Sequence, residues 1–190
     1  MAQAKQSSKS AEKRKKKKWV SIHSPKSFGS AELGESYVNT PQELIGRNIR
    51  VNLASIMKVK NSNVRIKFVA KEVKEDHVIT EAESYEILSN QVNRIVKKGK
   101  TKIDDSRVLT TKDEIKCTIK TIIITRNRIK GGLSAILKNE AIKFIESEVK
   151  SKTFEKLFEE VIMYNFQKAL KDHLKKISPI QIIEIKYFGK

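Results

Sequence analysis

Strict alternation of apolar and polar positions first appears at residue 49. Ile49, Val51 and Leu53 face one way with Arg50 and Asn52 between them, the pattern of a half-buried strand. After the turn cluster Asn61-Ser62-Asn63, the residues Val64, Ile66 and Phe68 alternate with Arg65 and Lys67, so the two segments predict a hairpin. A third short strand is expected over residues 77–81. Between residues 85 and 97 the spacing of Ile87, Leu88, Val92, Ile95 and Val96 predicts a helix. Lys97-Lys98-Gly99-Lys100 ends it, with cations beside the last carbonyls and Gly99 as the C′ residue.

The longest strand signal covers residues 114–125. Ile115, Cys117, Ile119, Thr121 and Ile123 occupy one face, while Ile122 and Ile124 make the end apolar on both sides. Two amphipathic helices follow. Leu133, Ile136, Leu137, Ala141, Phe144, Ile145 and Val149 form the first stripe; the second runs from Phe154 and Leu157 through Leu170 and Leu174. Ser178-Pro179 breaks the pattern, because a residue before proline is pushed towards extended geometry. A final strand passes through Ile180, Ile182, Ile183, Ile185 and Tyr187. Residues 19–46, punctuated by Pro25, Gly29, Gly34, Pro41 and Gly46, are expected to be irregular. Strands first, helices late and a closing strand predict an α+β fold, with a twisted, barrel-like, mostly antiparallel sheet and helices packed on one side.

Charge changes the picture. Forty Lys+Arg against 22 Asp+Glu give a net charge of +18 over 190 residues, the footprint of a protein that meets a polyanion. Residues 1–18 hold Lys5, Lys9, Lys13, Arg14, Lys15, Lys16, Lys17 and Lys18 against the single acid Glu12, for a net +7. That segment has too little apolar surface to offset the ordering of its backbone, so a disordered RNA-binding tail (1–18) ahead of an α+β body (19–190) is expected. The body keeps the other +11, which points to a binding surface rather than an address label. Cys117 is the only cysteine, which excludes an intramolecular disulfide. No apolar run approaches the ~20 residues that span a bilayer, and Trp19 to Pro25 supplies no apolar segment behind the basic start. A soluble, cytoplasmic protein with no membrane partner is expected.

Three constellations could carry function. In the tail and the adjoining step, Lys13, Arg14, Lys15, Lys16, Lys17 and Lys18 would neutralise phosphates, and Trp19 could stack on an exposed base or instead anchor the tail. Lys26 follows close behind. At residues 125–132 a strand gives way to a helix through Arg126, Arg128, Lys130 and two glycines, a place where guanidinium groups and helix-start amides favour an anion. No Gly-Lys-Ser/Thr follows, so nucleotide binding is not implied. Third, Arg47, Arg50, Arg65 and Lys67, with Lys116 and Lys120 if the strands are neighbours, would form a cationic plate, unless they only protect exposed strand faces from mispairing. Catalysis finds no support: His23, His77 and His173 have no ligand-like spacing, and no nucleophile elbow, Cys-x-x-Cys or dinucleotide fingerprint is present. No cofactor and no small-molecule substrate are expected.

The order of features resembles a known family. Lys18-Trp19 is followed by Ser24-Pro25-Lys26-Ser27-Phe28, a glycine-led strand from Gly46 to Leu53, Arg65-Ile66-Lys67-Phe68, and Arg94-Ile95-Val96-Lys97-Lys98 before Thr101-Lys102-Ile103-Asp104. Thr125-x-x-Arg128 and Ser178-Pro179-Ile180 complete the succession. Over roughly residues 13–188 this looks like the small-subunit ribosomal proteins of the S-three-A-e type, shared by archaea and eukaryotes. The resemblance implies a fold around a barrel-like sheet, no enzymatic activity, and a seat on the subunit platform near the messenger exit. Its implied partners are ribosomal RNA, neighbouring small-subunit proteins and, as a further candidate, messenger RNA. RNA contact carries onto Lys15 to Trp19. The chain stops soon after its last strand, as expected of an archaeal form. An RNA-processing enzyme and a DNA-compacting or membrane-peripheral basic protein are the competing readings of the same charge.

Overall fold

The computed structural model describes residues 16–57, 63–74 and 77–190. Its strands are β1 (Lys18–His23), β2 (Glu32–Val38), β3 (Asn48–Asn52), β4 (Val64–Lys74), β5 (His77–Ile87), β6 (Lys102–Thr110), β7 (Lys116–Thr125) and β8 (Ile180–Gly189). Its helices are the single turn α1 (Leu53–Ile56), then α2 (Ser89–Ile95), α3 (Gly131–Ser151), α4 (Phe154–Ile162) and α5 (Asn165–Lys175). All of these strands join one mixed, mostly antiparallel sheet.

Strand β5 organises the sheet. One edge pairs with β4 along its length, and β4 carries β3 on its far side. The other edge of β5 is divided between two wings. Its first residues, His77–Ile79, pair in parallel with Ser21–His23 of β1, which leads to β2. Ser84–Glu86 pair antiparallel with β8, which leads to β7 and β6. The sheet is therefore open rather than barrel-like: it ends at β2, β3 and β6, and α3 packs against the β6 end.

The alternation explains which face is buried. Val64, Ile66 and Phe68 of β4, Tyr85 and Ile87 of β5, Cys117, Ile119 and Ile123 of β7, and Ile183, Ile185 and Phe188 of β8 meet Leu137, Ala141, Leu157, Phe158, Leu170 and Leu174 of the helices in one core. The β1–β2 wing has a smaller core of its own: Val20, Ile22, Val38, Leu44, Ala70 and Val78. Burial pushes the Cys117 thiol up, as expected of an inert core residue.

Several expectations need correction. Residues 19–46 are not irregular: β1 and β2 lie there, made from two buried apolar positions in β1 and weak alternation in β2. Strand β5 continues to Ile87, because Tyr85 and Ile87 alternate into the core, so the helix after it is only α2. Gly99 sits in the later turn at φ 83, beyond the helix end at Val96. Strand β6 is so polar that only Ile103 is fully buried, although Asp105 is held by Lys138 and Arg107, each 3.3 Å away. The second predicted helix is two. Tyr164 takes a left-handed conformation (φ 66) between α4 and α5, a cost of about 1 kcal/mol for a residue with a Cβ.

That break delivers the Tyr164 hydroxyl to β8, where it donates to Glu184 Oε1 at 2.6 Å. Burial raises the Glu184 carboxyl, against the hydrogen bond from Tyr164. Burial also raises Tyr164 and Tyr85, with the Glu184 charge acting in the same direction. A tyrosine that ionises less readily when folded makes the folded state bind more protons than the unfolded one above about pH 10, so stability is present below that pH and lost as pH rises. Urea melts from pH 8 to 11 should show this alkaline loss, smaller in Tyr164→Phe than in the parent. At pH 7 Tyr164→Phe should itself cost about 1.5–3 kcal/mol, because a buried acceptor loses its donor.

Gly189 marks a close approach of β8 to β5. A Cβ there would lie 2.4 Å from the Ser84 Cβ and 3.0 Å from the Glu83 carbonyl oxygen. Gly189→Ala should destabilise by about 1–3 kcal/mol, read from the urea midpoint, and adding Ser84→Gly should restore part of the loss.

Candidate nucleic-acid interface

Among the described residues, positive charge without salt bridges gathers where β7 ends and β8 begins. Arg126 leaves β7, Lys171 and Lys175 stand one turn apart on α5, and Pro179 and Ile180 supply the floor of a cleft of about 430 Å³. The backbone holds these parts together: Arg126 N–H donates to the Pro179 carbonyl at 2.9 Å. Lys171 Nζ donates to the Gln181 carbonyl at 2.8 Å, and Lys100 Nζ donates to the Gln181 side chain. No carboxylate lines the cleft, and among the described residues Lys100, Arg126, Lys171 and Lys175 form no salt bridge.

The loop out of β7 is fixed by two threonines. Thr125 Oγ1 donates to the Asn127 carbonyl at 2.6 Å and accepts from Thr101 N–H at 3.1 Å, while Thr101 Oγ1 accepts from Ile129 N–H at 3.0 Å. Arg126, Arg128 and Lys130 are thereby exposed on a pinned turn. Lys130 is the N-cap of α3 without a side-chain cap, and Gly131 and Gly132 are exposed, so the first amides of the helix have no capping side chain. Phosphate oxygens suit such a surface: guanidinium and ammonium groups at the sides, helix amides at one end.

The expected sheet plate is more mixed. Arg50 does lie directly opposite Lys67, and Arg65 opposite Asn52, on the face away from the core. But β5 sets Glu86 opposite Arg65, and Lys67 pairs with Glu83 at 2.5 Å. Glu81 pairs with Lys71 and with Lys190; burial raises its carboxyl, but the two lysines outweigh that and hold it below the usual range. Lys116 and Lys120 are on β7, with β5 and β8 between them and β4, and Lys120 lies over the Tyr187 ring, 5.5 Å from its centroid. Arg47 is exposed just before β3. Lys26 stands apart, on a cleft of about 290 Å³ whose other charged residues are Glu81, Glu155 and Glu159.

Of the basic arm, Lys13, Arg14 and Lys15 lie outside the described residues, and Lys16 and Lys17 lead directly into β1. Trp19 is in that strand, 66% exposed, opposite Tyr37 of β2. His23 and His77, distant in sequence, meet edge to face with ring centroids 5.2 Å apart. Among the described residues no group of three or more His, Cys, Asp or Glu side chains is placed to hold a metal ion. Sequence reasoning missed Lys100, Lys171, Lys175 and Tyr37. The i, i+4 spacing of the two α5 lysines put them on one face, but only the fold brings Arg126 beside them.

The family model for the ribosomal S3Ae family matches residues 5–188. The chain belongs to that family. It is similar to the small ribosomal subunit protein eS1 of Methanobrevibacter smithii, 25% identical over 97% of this chain and 96% of the relative. It is also similar to the protein of that name from Archaeoglobus fulgidus (26% identical, 90% of this chain, 82% of the relative). The one from Halorubrum lacusprofundi is 24% identical over 90% of this chain and 80% of the relative. Membership of the S3Ae family makes this a ribosomal protein of archaeal type, a structural component rather than an enzyme. An S3Ae protein has to offer its surface to a large ribonucleoprotein, and the free cations at the β7–β8 junction are suited to that task.

Proposed function

We propose that this protein is a structural constituent of the small ribosomal subunit, seated on the platform near the messenger exit, where it binds ribosomal RNA. The observation that carries this reading is the carboxylate-free cleft of Arg126, Lys171 and Lys175, continued by Lys100, Arg128 and Lys130. Arg47, Arg50 and Arg65, with Lys67 and Lys26, are secondary contacts, because carboxylates stand close to several of them. The basic residues up to Trp19 extend the grip from a tail (1–18) attached to the body (19–190) through β1. Neighbouring small-subunit proteins and messenger RNA near the exit complete the surroundings, and the cytoplasmic ribosome is the location. In keeping with this, no helix among the described residues is long and apolar enough to cross a membrane.

The test is binding to small-subunit ribosomal RNA as a function of salt, together with co-sedimentation with small subunits. Binding that falls steeply with salt is expected; indifference to ribosomal RNA at moderate ionic strength, or absence from the subunits, would overturn the reading. Deleting residues 1–15 leaves β1 whole and removes Lys5, Lys9, Lys13, Arg14 and Lys15. That deletion should lower the slope of log K against log salt by up to about 4, because each of the lost phosphate contacts removes about 0.7–0.9.

A further inference from the structure

Trp19 and Tyr37 form a cross-strand pair on the face of the β1–β2 wing that turns away from the core. Their ring centroids are 5.1 Å apart and their planes tilted by 42°. Both rings are more than half exposed, Trp19 at 66% and Tyr37 at 52%. A tilted pair of this kind does not cover itself: each ring keeps apolar area in contact with water. Aromatic side chains lower their free energy by burying such faces, so an exposed pair on a regular strand has capacity for a flat partner.

The charge around the pair says what kind of partner. Lys17 Nζ lies 5.8 Å from the Tyr37 ring centroid. Lys16 and Lys18 flank it in the chain, and among the described residues none of the three forms a salt bridge. Further along the same pair of strands the sign reverses, with Glu35 opposite Ser21 and Glu32 opposite His23. The aromatic pair thus has cations at one end only. A basic peptide would be repelled by the lysines, and an acidic peptide couples its carboxylates to a flat ring only where its sequence happens to place one beside them. A nucleotide supplies both parts, a base for the rings and a phosphate for the ammonium groups.

We infer that Trp19 and Tyr37 form a stacking platform for an unpaired base of single-stranded RNA, with Lys17 holding the adjoining phosphate. The inference rests on the RNA-binding reading above and adds a second mode to it. The β7–β8 cleft grips the backbone; this platform takes a base that has left its helix. Paired bases in an A-form duplex do not present their faces, so the platform discriminates between looped and helical RNA.

Trp19 is the only tryptophan, so indole emission of the full-length protein reports this site alone. The probes are a ten-nucleotide oligoadenylate, an abasic oligomer of the same length and charge, and a short RNA duplex, each end-labelled so that anisotropy gives its affinity. Oligoadenylate is expected to quench the indole saturably; the abasic oligomer should bind by its phosphates without quenching, and the duplex should leave emission almost unchanged. Tyr37→Ala should weaken oligoadenylate roughly fivefold to a hundredfold, the range for loss of one base–aromatic stack, and leave the abasic oligomer unaffected. Tyr37→Phe keeps the ring and should keep the affinity. Equal binding of oligoadenylate and abasic oligomer with no quenching by either would overturn the platform and leave the RNA-binding reading standing. Failure of all three to bind would overturn both.

Discussion

Replacing Arg126, Lys171 and Lys175 together by glutamine should weaken binding to small-subunit ribosomal RNA by about two to three decades near 0.1 M salt. The magnitude follows from counterion release: three phosphate contacts at about 0.7–0.9 each lower the slope of log K against log salt by about 2 to 3. These residues converge on one cleft with no acid in its lining, so their loss is not cushioned by a freed carboxylate. The matched control is Lys71, Lys102 and Lys143, which pair with Glu81, Asp104 and Glu140. Their replacement by glutamine removes the same formal charge but only from cations already answered within the protein. Salt-dependent filter binding of both triple variants separates a local site from a general effect of net charge. Equal losses would show that the cleft is nothing special.

The second large effect is on stability. Phe188 of β8 is fully buried, stacked on Phe154 at 5.2 Å and close to Phe158 at 6.0 Å, and it lies across from Ile119 on one side and Tyr85 on the other. It joins the helices to the strand by which one wing meets β5. Phe188→Ala removes a ring that no neighbour can replace and should cost about 3–5 kcal/mol. In a chain of this size that is a fall in Tm of roughly 6–20 °C, measurable by calorimetry. The truncation is distant from the cleft, so RNA affinity below the new transition should be retained. A fall of less than about 2 °C would mean that the ring packs less tightly than its burial implies.

What the sequence makes legible depends on how strongly each segment alternates. Strands β3, β4, β7 and β8 and helix α3 carry long apolar series and could be placed from them. Strands β1 and β2 could not, since Val20 and Ile22 are too few to register beside a lysine run and several glycines. Strand β6 was invisible for another reason: its register comes from β7, and its core-facing Asp105 is tolerated because Lys138 reaches down from α3. The kink at Tyr164 has neither glycine nor proline to announce it; the hydrogen bond to Glu184 is tertiary. The same logic governs the interface. Arg126, Arg128 and Lys130 were visible as a local cluster, whereas Lys171, Lys175 and Tyr37 acquire meaning only from what folds beside them. The sheet plate shows the opposite error, because the pairing that aligned Arg50 with Lys67 also brought up the glutamates of β5.

The division of β5 between two wings bears on how a pull would travel through the molecule. The strand that continues the basic arm is stitched to β5 through only Ser21, Ile22 and His23, with one added bond from the Thr80 hydroxyl to the His23 carbonyl. Tension on that arm meets the β1–β2 pairs from Lys18 onwards before it reaches this short seam, and the long β7–β8 pairing lies on the other wing of β5. Peeling that wing from β5 would therefore open a three-residue seam and the Phe28 contacts with Phe68 and Phe158, and would leave the β7–β8 pairing whole.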